Sequence, residues 1–161
     1  MTTDTIVEDA RWPGHLPELA ARAARAALWA AGLDADDHEV CVLATSDEAV
    51  ADLNRRFRGK PSPTNVLSFP SSEVAPGETP AEMIGDVALA YETCAAEAAA
   101  QGKSLDDHAT HLIVHAVLHC LGHDHAEEGQ AALMEGLETT ILEGLGIADP
   151  YSDPDRPGKD P

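Results

Sequence analysis

One apolar stretch of the chain, residues 110–125, carries five of the eight histidines in the sequence THLIVHAVLHCLGHDH. His111, His115 and His119 recur at every fourth residue, so on an α-helix they share one face. Most of the positions between them are apolar, which is typical of a helix buried on nearly all sides. A stripe of imidazoles along a buried helix indicates metal ligation.

Helical rise limits which of these histidines can bind the same ion. Residues four apart lie about 6 Å apart along the helix axis, and residues eight apart lie about 12 Å apart. Metal–nitrogen bonds measure about 2.0–2.1 Å. One ion can therefore be shared by His111 and His115 or by His115 and His119, but not by all three.

Gly122 favours the second pair. It lies three residues after His119, and glycine readily takes the left-handed conformation that reverses a chain. The returning segment can bring His123 or His125 back to the helix end, and with His125 the spacing is H-x-x-x-H-x-x-G-x-x-H. Three histidines leave one position of a tetrahedral zinc for water, which is typical of a catalytic site. We therefore expect one zinc ion on His115, His119 and a third histidine.

Ala116 stands where zinc peptidases with this spacing carry the glutamate that acts as general base. This substitution argues against a peptidase. Another group must then accept the proton from water: the anionic substrate itself, Asp124 or a residue from elsewhere in the chain. His111 is expected in the core or beside the ligands.

Positive charge is concentrated around the start of a second unusual stretch, residues 58–70, RGKPSPTNVLSFP. Four of the ten Lys and Arg residues fall within six positions: Arg55, Arg56, Arg58 and Lys60. Arginine binds phosphate through paired hydrogen bonds. Two prolines and a glycine argue against regular structure, so we expect Arg58 on a stiff loop. By composition alone, a solvated basic loop is the simpler interpretation.

The overall composition points away from nucleic acid. The 161 residues carry a formal net charge of -19, which repels phosphate and is typical of a solvated acidic surface. Three cysteines, far apart and in apolar patterns, are typical of a reduced, cytosolic protein. No apolar run reaches the roughly 18–20 residues that span a bilayer, and the N-terminus lacks the basic region of a signal peptide. We expect a cytoplasmic protein without membrane association.

The hydrophobic periodicity predicts an α+β fold in a single domain over residues 1–146, with a small mixed sheet of about four strands packed with helices. Expected strands are 3–8, 38–45, 65–69 and 83–90. Expected helices are 15–31, 47–56, 92–101, 105–121 and 127–143. Residues 71–82 are expected to form a surface loop and residues 147–161 a disordered tail.

Two local features need a structural explanation. Trp29 is expected to pack its helix on the core. Gly85 and Asp86 interrupt an expected strand with residue types that disfavour strands. A close approach of another backbone segment, or a polar role for Asp86, would explain them.

Three segments, RGKPSPTNVLSFP, IGDVALA and HLIVHAVLHCLGHDH, resemble the YbeY family of bacterial rRNA maturation factors with ribonuclease activity. The resemblance runs from about residue 40 to about residue 145. It implies a small α+β domain whose metal helix is related to that of zinc peptidases. It also implies that His115, His119 and His125 ligate zinc and that Arg58 faces the metal cleft and is needed for activity.

The chain departs from the family pattern at two positions of the histidine motif. The family often has glycine where Ala116 stands and tyrosine where His123 stands, and the second difference favours His125 as the third ligand. The net charge is also far more negative than an RNA enzyme suggests.

The resemblance implies a zinc-dependent single-strand endoribonuclease for rRNA maturation, notably of the 16S rRNA 3′ end, and for ribosome quality control. The implied partners are the small ribosomal subunit, ribosomal proteins and a ribosome-assembly GTPase. Lys60 or Arg55 is expected to guide the RNA backbone. Either water or the RNA 2′-hydroxyl is the nucleophile. The alternatives are a non-catalytic, zinc-stabilised assembly factor and a zinc peptidase.

Overall fold

The computed structural model describes residues 3–59, 64–123 and 128–147. The strands are β1 (Thr3–Val7), β2 (Glu39–Thr45), β3 (Val66–Pro70) and β4 (Met83–Ala90). The helices are α1 (Leu16–Ala30), α2 (Asp47–Arg58), α3 (Tyr91–Gln101), α4 (Leu105–Cys120) and α5 (Glu128–Gly144). Each element lies within two residues of its predicted bounds, and the predicted α+β class is confirmed.

The four strands form one mixed sheet in the order β1-β2-β4-β3. β1, β2 and β4 are parallel, and β3 pairs antiparallel with β4 at the edge. An edge position suits β3 because Pro70, its last residue, has no backbone N–H to donate. The edge strand also leads the chain from the basic end of α2 into the sheet.

Alternating side chains of the sheet enter two apolar clusters on its opposite faces. The larger cluster joins Val40, Val42 and Leu89 of the sheet to the buried faces of α1, α4 and α5. The smaller one joins Ala88 and neighbouring apolar residues to α2. α4 therefore lies centrally, as its apolar sequence predicts, and ten of its sixteen residues are buried. Its first turn is capped by Ser104, whose Oγ accepts a hydrogen bond from the Asp107 N–H at 3.1 Å.

Gly85 lies where the end of α4 presses on the β3–β4 pair. A Cβ atom at this position would lie 2.6 Å from the Phe69 carbonyl oxygen and 2.8 Å from Cys120 Sγ. Neither distance is possible for a real side chain, so the close backbone approach that the sequence suggested is the reason for this glycine. Asp86, its neighbour, is exposed.

The prediction for Trp29 was wrong. Its side chain is 80% exposed, because the buried face of α1 is formed by small residues and two leucines: Leu16, Ala20, Ala23, Ala24, Ala27 and Leu28. At about 100° per residue, Trp29 lies nearly opposite the middle of this buried face and so points away from the core.

The predicted loop position of Arg58 was also wrong, because α2 continues through this residue. Gly59 ends the helix in the left-handed conformation, with φ of 70°, and its N–H donates to the Arg55 carbonyl oxygen. At the other end of the chain, Ile147 packs against the core and is the last described residue. The rest of the predicted tail lies outside the described residues.

Among the helices described, none is both long enough and apolar enough to cross a membrane.

Candidate active site

A cleft of about 1550 Å³ opens beside the histidine-bearing face of α4. The helix supplies its floor, and β3 and the segment 71–75 supply the neighbouring walls. Arg58 reaches it from the end of α2, and Gly122 and His123 line it beyond the end of α4. The cleft thus joins the two unusual stretches of the sequence, which lie about fifty residues apart in the chain.

His115 and His119 face each other on the cleft floor. Their Nε2 atoms are 3.1 Å apart and their ring centroids 4.6 Å apart. Two nitrogen ligands at about 2.0–2.1 Å from a tetrahedral ion would lie about 3.4 Å from each other. The two rings therefore converge nearly as they would on one small ion, and the chemistry of this donor set fits zinc.

His111 is turned away from that convergence point. Its ring centroid is 6.4 Å from that of His115, and its Nε2 lies 2.9 Å from Oε1 of Glu138 on α5. His115 contacts the same carboxylate oxygen through Nδ1, also at 2.9 Å. Because a carboxylate only accepts hydrogen bonds, His111 donates through Nε2–H and His115 through Nδ1–H. The Nε2 atom of His115 is thereby left with its lone pair toward His119.

Glu138 is a charged side chain in the core, with only 1% of its surface exposed. Burial alone would raise the pKa of this carboxyl group. The hydrogen bonds from His111 and His115 outweigh burial and lower the pKa to about 2. The two hydrogen bonds thus favour the carboxylate form of Glu138 beside the imidazoles.

The sequence contains a signal that points to Glu138. On α5 the apolar positions Met134, Ile141 and Leu142 follow helical spacing, and Glu138 lies on the same face, four residues from Met134 and from Leu142. A carboxylate on the apolar face of an amphipathic helix requires a partner in the core. The histidine stripe of α4 was the available candidate.

Gly122 turns the chain at the end of α4, as predicted. Its φ is +98°, its N–H donates to the His119 carbonyl oxygen, and the His123 N–H donates to the Leu118 carbonyl oxygen. A Cβ atom at Gly122 would lie 2.1 Å from the carbonyl oxygen of Val74, so the segment 71–75 packs tightly on the turn. The expected surface loop thus also forms part of the cleft.

The third predicted ligand, His125, and the possible proton acceptor Asp124 lie outside the described residues. His123 lines the cleft, and burial lowers the pKa of its imidazole. His123 thus reaches the cleft at the His119 end of the helix.

Arg58 is held across the cleft by the edge strand. Its Nη2 donates to the Ser68 carbonyl oxygen at 3.1 Å, and its guanidinium lies 5.9 Å from the centroid of the Phe69 ring. Of the other two predicted substrate contacts, Arg55 forms an ion pair with Asp52 and is absent from the described lining of the cleft, whereas Lys60 lies outside the described residues.

A second polar cluster joins α3 and α4 to the cleft wall. His108 Nε2 lies 2.9 Å from Glu97 Oε1, and the same oxygen accepts from Asn65 Nδ2 at 3.0 Å. Asn65 in turn accepts from the Val66 N–H at 2.7 Å and lines the cleft. The cluster fixes the start of β3, and hence the wall that holds Arg58.

The chain is similar to known proteins over most of its length. The family model described as Endoribonuclease YbeY matches residues 8–146. The Endoribonuclease YbeY of Cereibacter sphaeroides is 50% identical, covering 92% of this chain and 97% of its own. The Endoribonuclease YbeY of Ruegeria pomeroyi is also 50% identical, covering 94% and 99%.

A solution structure of a Thermotoga maritima protein has the same fold, with a TM-score of 0.62 at 22% identity, and the match covers 98% of this chain and 99% of that one. The family match spans the helices and strands that build the cleft, including α4 and the end of α2. The chain therefore belongs to the endoribonuclease YbeY family.

Proposed function

We propose that this chain is a zinc-dependent endoribonuclease that cuts single-stranded RNA in the cleft beside α4. The observation that carries the proposal is the pair of imidazoles on the cleft floor, with Nε2 atoms 3.1 Å apart, next to a wall that holds Arg58. Membership of the family gives the reaction class, which is cleavage of RNA phosphodiester bonds.

His115 and His119 supply two metal ligands in this proposal, and His125 supplies the third. When bound, the ion lowers the pKa of a water molecule and polarises a phosphoryl oxygen. His115 presents its unprotonated Nε2 because its Nδ1–H is engaged by Glu138. Ala116 lies on the same part of the floor, so its position holds no carboxylate of the kind a peptidase uses.

Arg58 binds the scissile phosphate. Its guanidinium can form two parallel hydrogen bonds with a phosphate, and it neutralises charge that accumulates on the phosphoryl oxygens during cleavage. Its contacts with Ser68 and Phe69 restrict the side chain, so less conformational freedom is lost when RNA binds. Arg55 and Lys60 guide the adjoining RNA backbone.

The proposed substrate is rRNA, with the 3′ end of the small-subunit rRNA as the processed site. The net charge of -19 repels RNA, whereas the last turn of α2 is basic. We therefore also propose that the small ribosomal subunit presents the RNA to the cleft, with ribosomal proteins and a ribosome-assembly GTPase as partners. The proposed location is the cytoplasm, and the enzyme also acts in ribosome quality control.

Replacing Arg58 tests the proposal. With pure, zinc-loaded protein and a single-stranded RNA ending in the small-subunit rRNA sequence, Arg58→Ala is expected to lower the cleavage rate by about 100-fold or more. Zinc content and unfolding temperature should not change, because Arg58 is exposed and its hydrogen bond goes to the Ser68 carbonyl oxygen of β3. Arg56→Ala is the matched control, since Arg56 lies two residues away, pairs with Asp52 and is absent from the described cleft lining.

A folded, zinc-loaded Arg58→Ala protein that cleaves RNA at the normal rate would remove the catalytic role. A wild-type protein that binds zinc and ribosomes but cleaves no RNA would support the non-catalytic assembly factor. The product ends identify the nucleophile, because attack by the 2′-hydroxyl leaves a 2′,3′-cyclic phosphate and direct attack by water leaves none.

A further inference from the structure

The contact between α4 and α5 holds a charged residue that the proposed reaction does not use directly. Glu138 is 1% exposed, and its Oε1 lies 2.9 Å from His111 Nε2 and 2.9 Å from His115 Nδ1. A buried charge of this kind costs free energy, even when it is paired, compared with an apolar residue of similar volume. Its position next to a candidate ligand gives it a task other than stability.

We propose that Glu138 is a positioning residue of the metal site: it engages the Nδ1–H of His115, so that Nε2 of this ring is the atom that binds the ion beside Nε2 of His119. The inference rests on the metal site proposed above. A metal-binding histidine needs one nitrogen without a proton, and the hydrogen bond made by the other nitrogen fixes both the tautomer and the ring orientation.

His111 explains why the carboxylate itself stays in place. Its Nε2–H donates to the same oxygen from the turn of α4 that precedes His115. Glu138 is thus bound from two sides, and His111 acts on the ligand through it. His111 uses Nε2, the nitrogen at the far end of its ring, for this contact. That nitrogen is then not offered to the ion, so His111 is not one of the ligand pair.

Equilibrium zinc binding of the full chain, measured against a chromophoric chelator, tests the inference without relying on activity. Glu138→Gln keeps the shape of the side chain and one carbonyl acceptor, but it removes the negative charge that strengthens the hydrogen bond from His115 Nδ1–H. It is expected to weaken zinc binding by about 10- to 100-fold. The cobalt-substituted variant should also show an altered visible absorption spectrum, because the weaker hydrogen bond changes the basicity of one ligand.

Glu97→Gln is the matched control. Glu97 also accepts from a buried histidine of α4, His108, which lies two helical turns before His115. This variant is expected to lower the unfolding temperature of the metal-free protein while leaving the zinc dissociation constant unchanged. If Glu138→Gln behaves like Glu97→Gln, the role of Glu138 is structural and the inference is wrong.

His119→Ala separates this inference from the proposed function. If His119→Ala still binds one zinc with normal affinity, the proposed metal site itself is wrong. If His119→Ala loses zinc and Glu138→Gln does not, only the inference about Glu138 is wrong.

The wild-type protein supplies a second measurement that does not depend on a variant folding. Long-range ¹H–¹⁵N NMR correlations of the zinc-loaded protein should show His115 protonated at Nδ1 and His111 protonated at Nε2. A His115 ring that binds zinc through Nδ1, or that carries its proton on Nε2, would overturn the assignment.

Discussion

Two of the contacts between histidine and glutamate on helix α4, those of His108 and His115, differ in which ring nitrogen the carboxylate engages. His108 uses Nε2, at the far end of the ring, to reach Glu97 of α3. His115 uses Nδ1, near the backbone, to reach Glu138 of α5. The same two residue types thus occur two turns apart on one helix in opposite orientations.

The orientation decides what each ring can do next. In the first contact, His108 Nε2 is hydrogen-bonded inside the protein to Glu97. Glu97 also accepts from Asn65, so the contact links α3 and α4 to the cleft wall. In the second contact the near nitrogen is consumed, and the far one faces the cleft 3.1 Å from His119. A buried carboxylate beside a histidine therefore indicates a metal ligand only when it leaves the cleft-facing nitrogen without a proton.

The largest difference between the two contacts should appear in zinc affinity. His115→Ala is expected to raise the zinc dissociation constant by more than about 100-fold, because losing a ligand costs more than losing its hydrogen-bond partner. His108→Ala should bind zinc normally but lower the free energy of unfolding by about 1.5–3 kcal/mol, since it removes a hydrogen bond to a charged group. Chelator competition measures the first effect and urea unfolding of the metal-free protein measures the second. Equal zinc affinities for the two variants would contradict the comparison.

The glycines that follow α3 and α4, Gly102 and Gly122, should differ in how much stability is lost when each is replaced by alanine. Gly102→Ala, at the end of α3, should cost about 1–2 kcal/mol, because its φ is +68° but no atom lies within 4 Å of the new Cβ. Gly122→Ala should cost clearly more, since its Cβ would lie 2.1 Å from the Val74 carbonyl oxygen. Urea unfolding measures both.

Gly122→Ala should also weaken zinc binding, because the third proposed ligand follows this turn. Normal zinc affinity together with a normal free energy of unfolding in this variant would show that the turn is not needed to shape the site.

The smallest expected effect is a pH dependence at His108. Burial lowers the pKa of this imidazole below its usual 6.5, although the hydrogen bond to Glu97 acts in the opposite direction. The unfolded chain therefore binds a proton at a higher pH than the folded protein does. Above about pH 6.5 His108 is neutral in both states, and its protonation does not reduce the free energy of unfolding. As the pH falls from 6.5 toward the folded-state pKa, the free energy of unfolding decreases by at most about 1.4 kcal/mol per pH unit.

The free energy of unfolding is measured against pH for the metal-free wild type and for His108→Gln. The difference between the two curves gives the contribution of His108 protonation. A difference that stays constant between neutral pH and pH 5 would contradict it. An NMR titration of His108 in the folded protein provides the pKa directly.

The bounds of the helices and strands followed from short-range patterns because their causes are local. Ser104 caps α4, Gly102 and Gly122 end two helices, and apolar residues alternate along the strands. The two errors concerned orientation and context. Alanines and leucines bury the face of α1 opposite Trp29. Helix α2 runs two residues beyond its predicted end and so includes Arg58.

Gly85 shows the intermediate case. The sequence indicated that something approached the backbone there, since glycine in a strand costs stability. Only the packed structure identified the neighbours, which are the Phe69 carbonyl oxygen and Cys120 Sγ.

By itself, the sequence determined that His115 and His119 share one helix face and that the chain turns at Gly122. Helical rise and the conformation of glycine are properties of the local chain, and they act before any packing. The tertiary structure decided that Glu138, twenty-three residues beyond His115, lies in the core against it, and that Arg58 faces the same cleft. Which nitrogen of each imidazole carries the proton depends on that long-range contact, because a ring's tautomer is set by the partner that packing brings to it.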